Sequence, residues 1–140
     1  MIVVAIIGIL AATAMPATHV SYAAKSTVRE SIHSVNALQQ EIESYFLQHQ
    51  VFPAHNRDIS AKILADLKLR NVKDLSISTG GRIVITYVSR LNFSYPNYYT
   101  LDSTDKTLVL KPTFDKHVFV WDYCSEGSVP AEFRGKPCFI

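Results

Sequence analysis

The feature that most constrains this chain is its apolar start. No charged residue occurs before Lys25, and the stretch from Met1 to Met15 is almost entirely aliphatic. More than twenty successive uncharged residues, coiled as a helix that rises about 1.5 Å per residue, can cross a hydrocarbon layer about 30 Å thick. We therefore expect two units: an apolar helix over residues 1–24 that sits in a membrane at some stage, and a globular head over residues 25–140.

A generic single-pass anchor and an uncleaved signal peptide are the alternatives for this segment. A secretory signal has a basic region before its apolar run and a cleavage site soon after it, and neither is clear in this sequence. The apolar run begins at Met1 with no flanking charge. We therefore expect further residues upstream of Met1 in the natural segment.

Helical periodicity continues beyond the apolar run, with apolar residues at spacings of three and four. This stripe consists of Val28, Ile32, Val35, Leu38, Ile42 and Tyr45. One helix from about Met1 to about His49 would be roughly 70 Å long, so its first half should protrude from a head of this size. Gly8 lowers helix propensity and Pro16 removes a backbone donor, and we expect the helix to bend or unwind between them.

The rest of the sequence predicts a loop with one short helix, followed by a sheet. Residues 51–70 hold the loop, and the period then changes to two on either side of Gly80-Gly81, which indicates a hairpin. A second strand pair, Thr107–Leu110 and His117–Tyr123, flanks the predicted turn KPTFDK. Four antiparallel strands packed on one amphipathic helix form an α+β core.

The last of these strands has two candidate inward faces. One consists of Val118, Val120 and Asp122, and the other consists of Phe119, Trp121 and Tyr123. Both faces carry large apolar residues, so the alternation leaves the choice open.

The two cysteines, Cys124 and Cys138, favour a disulfide. Two free thiols and half of a metal site are the alternatives. The intervening SEGSVPAEFRGKP is too polar and rich in turns to fold by its own packing, and a ring of this size contributes about 3 kcal/mol to stability. A disulfide also implies an oxidising compartment outside the cytoplasm.

The apolar start MIVVAIIGILAATAMPA resembles the N-terminal segment of type IV pilins, downstream of their prepilin peptidase cleavage site. Gly8, Leu10-Ala11-Ala12 and Pro16 carry the likeness, together with the amphipathic helix that continues from them. The resemblance implies the pilin fold, in which a long N-terminal α-helix packs on a four-stranded antiparallel β-sheet. It also implies a C-terminal loop closed by Cys124 and Cys138.

The resemblance further implies a structural subunit of a thin bacterial surface filament. Its partners would be other copies of itself, the inner membrane before assembly, prepilin peptidase and the pilus assembly machinery, with an assembly ATPase. The mature family member begins with an N-methylated Phe and carries a Glu a few residues later, and neither precedes Met1 here. We therefore carry over Gly8, Pro16, Cys124 and Cys138 alone, and expect the first few residues of the mature chain to be missing.

Three functional classes compete. The favoured class is a type IVa-like major pilin, whose filament serves adhesion, twitching motility and DNA uptake. A type II secretion pseudopilin shares the N-terminal helix, but its major subunit typically has a calcium-binding loop in place of the disulfide, and only Glu126 and Glu132 could serve as ligands here.

The third class is a minor pilin that binds DNA. Its candidate contacts are Lys111, Lys116, Arg134 and Lys136, for which a solvated basic surface is the plainer interpretation. The formal net charge of +2 is too small to imply nucleic acid as an obligatory partner.

Enzymatic and metal-binding functions are disfavoured. The five histidines lack the spacing of metal ligands, and no Ser/His/Asp, Cys/His or paired-carboxylate pattern has the spacing of a catalytic motif. Gly80-Gly81 joins two strands and precedes no helix, so it is a turn and not a phosphate-binding loop. We expect no cofactor.

Overall fold

The computed structural model describes residues 22–67, 69–89, 91, 105–135 and 138. Gly8, Pro16 and all of the apolar segment up to residue 21 lie outside these residues, as does Lys136. Within the described ranges, no helix combines the length and the apolarity needed to span a membrane.

The chain enters its described part as a long helical arm. Helix α1 covers residues 22–34, and helix α2 covers Asn36–His49 after a single turn residue, Val35. The Val35 N–H donates to the Ser31 carbonyl at 3.2 Å, and the Val35 carbonyl accepts from Gln39 N–H at 2.9 Å. Helical hydrogen bonding therefore runs through the turn, and the two helices act as one arm.

The predicted apolar stripe is confirmed as the face that this arm buries. Its most buried members, with no exposed surface, are Val28, Val35, Leu38 and Ile42. Ile32 and Tyr45 are partly buried against the same core. Burial of a side chain of this size stabilises a fold by about 1.5–3 kcal/mol, so the stripe anchors the arm to the head.

The segment after α2 is the predicted loop with one short helix. Helix α3 spans Ala61–Asp66, and a 3₁₀ turn at Asn56–Asp58, which the sequence pattern does not predict, precedes it. The Asp58 carboxylate accepts the backbone N–H groups of Ala54 and His55 at 3.0 Å each. These two hydrogen bonds lower the pKa of Asp58.

Four strands form one antiparallel sheet in the order β1-β2-β3-β4. Their bounds are β1 Val72–Ser78, β2 Arg82–Tyr87, β3 Thr107–Asp115 and β4 Val118–Asp122. The first hairpin is confirmed: Ser78 pairs with Arg82, and Gly80 and Gly81 have φ of 83° and 71° in the turn. A short helix α4, Ala131–Arg134, follows the sheet. The α+β pilin fold expected from the resemblance is therefore present.

The predicted turn KPTFDK is wrong. Residues 111–115 continue β3, and the turn consists of Lys116 and His117 alone, with φ of 48° and 65°. Proline is a typical turn residue, but Pro112 lies beyond Leu110, where the pairing of β3 with β2 ends. From there β3 has only β4 beside it, so the missing N–H of Pro112 costs no hydrogen bond to β2.

The structure settles which face of β4 points inward. Val118 and Val120 are 59% and 52% exposed, whereas Trp121 packs against the core. The Trp121 indole N–H donates to Glu43 Oε1 of α2 at 2.8 Å. The aromatic face is therefore the inner one, and it binds the sheet to the helical arm.

A buried hydroxyl pair also joins the arm to the sheet. Ser31 Oγ donates to the Val28 carbonyl at 2.8 Å, so the hydrogen bond between the Ser31 and Tyr87 hydroxyls has Tyr87 as its donor. Tyr87 is fully buried. Desolvation is the main cause that raises its pKa from 10.0 to about 12.

We expect Tyr87→Phe to lower the free energy of unfolding by about 1 kcal/mol at neutral pH, the usual net value of one hydrogen bond. Because the folded-state pKa of Tyr87 is raised, its contribution is fully present below pH 10 and is lost as the pH rises towards 12. Urea unfolding measured from pH 10 to pH 12 should show that the free energy of unfolding falls less steeply with pH for Tyr87→Phe than for the wild type. Identical slopes for the two proteins would contradict the assignment.

Candidate functional site: the disulfide loop and helix α1

The C-terminal loop is closed by the disulfide between Cys124 and Cys138, whose Cα atoms lie 5.0 Å apart. This confirms the predicted pairing. The loop returns to the head through Val129 and Phe133, which are both buried in the core. The disulfide thus fixes a segment that is also packed at its middle.

Arg134 holds the same loop from inside. It is 7% exposed. Its Nε donates to the Val129 carbonyl at 2.7 Å, and its Nη2 donates to the Gly127 carbonyl at 2.9 Å. Its Nη1 lies within hydrogen-bonding distance of three further carbonyls, those of Tyr123, Cys124 and Glu126. One guanidinium therefore holds five carbonyls, four in the loop and that of Tyr123 just before it, around a single charge.

The loop also extends the sheet beside β3. Gly127 pairs with Leu108 in an isolated antiparallel bridge. The N–H groups of Ser128 and Val129 both donate to the Thr107 carbonyl, at 2.8 and 3.0 Å. The backbone of the loop thus covers the stretch of β3 that β4 leaves unpaired.

Gly127 is the one position in this bridge that requires a glycine. Its φ is +98°, and a Cβ there would lie 2.6 Å from the Thr107 carbonyl oxygen. We expect Gly127→Ala to lower the free energy of unfolding by about 2 kcal/mol, through left-handed strain and the contact with the backbone.

Gly135→Ala is the matched control, because its φ is +84° but, of the described residues, a Cβ there would meet only Arg29, whose Nε would lie 3.7 Å away. It should cost about 1 kcal/mol, from backbone strain alone. If urea unfolding shows the same decrease in the free energy of unfolding for both variants, the contact between the new Cβ and Thr107 does not affect stability.

Glu126 connects the loop to the outer face of the sheet. Its carboxylate accepts from Arg82 Nε at 2.9 Å and lies 3.3 Å from Lys111 Nζ. The hydrogen bond from Arg82 is the main cause of the lowered pKa of Glu126. All three side chains are about one third exposed, so this is a surface pairing of modest energy.

The structure does not bring together the three predicted DNA contacts that it describes, Lys111, Lys116 and Arg134. Arg134 was expected to be accessible, and this is wrong, because its guanidinium is buried and occupied by carbonyls. Lys111 is paired with Glu126, Lys116 lies in the β3–β4 turn, and Lys136 lies outside the described residues. Among the described residues, Lys111, Lys116 and Arg134 therefore form no continuous basic surface.

A different basic surface lies on helix α1. Lys25, Arg29 and His33 follow one another at intervals of four residues and share one helix face. Lys25 Nζ lies 6.0 Å from the centre of the Phe133 ring. The spacing is visible in the sequence, but nothing there shows that α4 lies beside these residues.

Between α1 and the loop lies a cleft of about 430 Å³. It is lined by Arg29, Ile32, His33, Tyr123, Arg134 and Gly135. None of these six residues is acidic. Within the part of the chain that the structure describes, no group of three or more His, Cys, Asp or Glu is placed to hold a metal ion. The arrangement is suited to an anion and to protein–protein or protein–membrane contact.

No family model matches this sequence. It is 34% identical over 80 residues to the type IV major pilin protein PilE of Neisseria gonorrhoeae, an alignment that covers 57% of this chain and 47% of that protein. The fimbrial protein of Neisseria meningitidis serogroup B is also 34% identical over 80 residues, covering 57% and 46% of the two chains. The chain thus spans less than half the length of these two relatives.

A third relative is matched over most of both chains. The fimbrial protein EcpC of Eikenella corrodens is 33% identical over 136 residues, an alignment that covers 91% of this chain and 78% of that protein.

Proposed function

The chain belongs to the type IV pilin family, and from that premise we propose that it is a structural subunit of a type IV pilus. In this proposal, the chain polymerises with other copies of itself into a filament on the bacterial surface. The observation that carries the proposal is the similarity to EcpC over most of both chains. The α+β head with its disulfide-closed loop supports the same assignment.

The apolar segment 1–24 supplies the driving force in this proposal. Before assembly it is an anchor in the inner membrane, where prepilin peptidase and the assembly machinery act on the protein. A lone apolar helix has no hydrophobic reason to leave lipid. Extraction is therefore compensated by packing the same surface against copies of the helix in the filament core, assisted by the assembly machinery.

The repeating contact between subunits must be heterologous, since only head-to-tail contacts generate an open helical filament. The head offers two different surfaces for this contact: the α1 face beside the loop, and the exposed apolar side chains of β4. Adhesion, twitching motility and DNA uptake are properties that we assign to the filament as a whole. No cofactor or catalytic residue takes part.

The segment between Gly8 and Pro16 has a further role in this proposal. A helix weakened at both positions can lengthen under tension and make the fibre extensible. A filament reconstruction should show the helix locally unwound there. Unbroken helix from Gly8 to Pro16 would contradict this role.

The proposal is tested by shearing appendages from the cells, purifying the fibres and identifying their principal protein by mass spectrometry. We expect this chain to dominate thin fibres, preceded by a methylated Phe. Deletion of its gene should remove the fibres, and its restoration should return them. Fibres that persist without this chain would instead indicate a minor pilin or a secretion pseudopilin.

A further inference from the structure

We propose that the cleft between α1 and the disulfide loop binds the phosphate of an anionic phospholipid headgroup while the subunit is anchored in the membrane. This inference rests on the proposed membrane stage of residues 1–24. It assigns a ligand to Arg29 and His33 at the membrane stage, before the α1 face is available for contact with another subunit in the filament.

The first step is the chemistry of the cleft. Arg29 and His33 are exposed on one face of α1, and the buried, charged side chain of Arg134 also lines the cleft. Arg29 has no hydrogen-bond or ion-pair partner among the described residues. A planar guanidinium offers parallel N–H donors that match two oxygens of a phosphate, so a phosphate fits this cleft better than an apolar ligand does.

The second step is the shape of the cleft. Gly135 forms part of its wall, and a Cβ there would lie 3.7 Å from Arg29 Nε. The missing side chain leaves space beside the Arg29 guanidinium, for which the described part of the chain supplies no partner. The volume of about 430 Å³ is ample for a phosphate and the glycerol attached to it.

The third step is the position along the helix. Lys25 is the first charged residue after the apolar segment. At about 1.5 Å per residue, Arg29 lies about 7.5 Å beyond residue 24, and the headgroup layer on each side of a bilayer is about 5–8 Å thick. Arg29 therefore reaches the depth of the lipid phosphates when residues 1–24 fill the hydrocarbon layer.

Tyr22 independently marks the same boundary. It is 76% exposed at the start of the described helix, three residues before Lys25. Tyrosine is enriched where hydrocarbon meets headgroups, and basic residues attract anionic lipid just outside that level. Exposed aromatic, then lysine, then arginine is the order expected for a helix that leaves a membrane.

The test uses the full chain, isotopically labelled, in phosphatidylcholine bicelles to which increasing amounts of phosphatidylglycerol are added. The reporter is the amide resonance of Gly135, which lines the cleft but carries no charge. We expect a saturable shift of this resonance, and Arg29→Gln should weaken the apparent affinity about fivefold. The apparent affinity of Arg29→Lys should lie between those of the wild type and Arg29→Gln, because lysine keeps the charge but lacks the planar donors.

Lys62→Gln is the matched control, since it removes one exposed positive charge from α3, which does not line the cleft. It should leave the Gly135 response unchanged. If Lys62→Gln and Arg29→Gln weaken the response equally, the attraction is a general one between the head and the surface, and the cleft proposal is overturned.

Glycerol phosphate, added to the full chain in neutral bicelles, separates the lipid from a free phosphate. Saturable binding of both glycerol phosphate and phosphatidylglycerol at Gly135 supports the proposal. Binding of glycerol phosphate without a response to phosphatidylglycerol would assign the cleft to a soluble ligand and overturn the lipid as its source. Failure of the chain to enter neutral bicelles would instead refute the anchor itself, and would remove the lipid proposal with it.

Discussion

Replacing Arg134 with methionine is expected to lower the free energy of unfolding by about 4 kcal/mol. Methionine can fill much of the space, but it leaves four carbonyls of the loop and the carbonyl of Tyr123 without their shared donor. Burial lowers the pKa of this guanidinium, because desolvation disfavours its charged form. Urea unfolding of the wild type and of Arg134→Met, both with the disulfide intact, gives the difference directly.

Two further variants make this result specific. Arg134→Lys keeps the charge but cannot reach carbonyls on several sides at once, so we expect a loss of about 2 kcal/mol. Arg70→Met removes an exposed arginine and should change stability by less than about 0.5 kcal/mol. If Arg134→Met lowers the free energy of unfolding as little as Arg70→Met does, the hydrogen bonds from Arg134 to the five carbonyls do not stabilise the fold.

Removal of the disulfide by the paired change Cys124→Ser and Cys138→Ser is expected to cost about 3 kcal/mol, because the open chain regains the entropy of a ring of this size. The sequence separation of the two cysteines is 14 residues. The intact mass of the wild type should rise by two hydrogens on reduction. A mass that does not change, or alkylation of both thiols without reductant, would contradict the disulfide.

The two predictions are coupled, because Arg134 and the disulfide hold the same loop. Once either is removed, the loop is already loosened, and removal of the other should cost about 1 kcal/mol less than it does alone. Combining Arg134→Met with the paired serine changes completes a double-mutant cycle that measures this coupling. If the two decreases in the free energy of unfolding simply add, Arg134 and the disulfide stabilise separate parts of the head.

Much of the fold is predictable because it follows from local patterns. The apolar stripe of α1 and α2 repeats with the helical period, and the turn at Gly80-Gly81 needs residues that tolerate positive φ. The sequence places the second turn too early, because it treats Pro112 as a turn residue. Proline is excluded from a strand that has a hydrogen-bonded neighbour on each side, but β2 pairs with β3 only as far as Leu110. Where β2 ends depends on pairing between residues far apart in the sequence, which local patterns do not reveal.

The candidate site was less predictable for a related reason. Arginine is rarely buried, so the sequence argues for an exposed Arg134. The groups that hold it inside are backbone carbonyls of residues 123–129. Every residue type has the same carbonyl, so the sequence does not reveal these acceptors. The basic face of α1 was visible as a spacing, but its importance depends on the loop that packs beside it.

The central claim is that this chain builds the filament, and a helical reconstruction of purified fibres by electron cryomicroscopy tests it most directly. We expect side-chain density for this sequence in every subunit, with the head and its Cys124–Cys138 loop on the outside and residues 1–24 packed in the core. Fibres whose density fits another chain throughout, or in which residues 1–24 lie outside the core, would contradict the account.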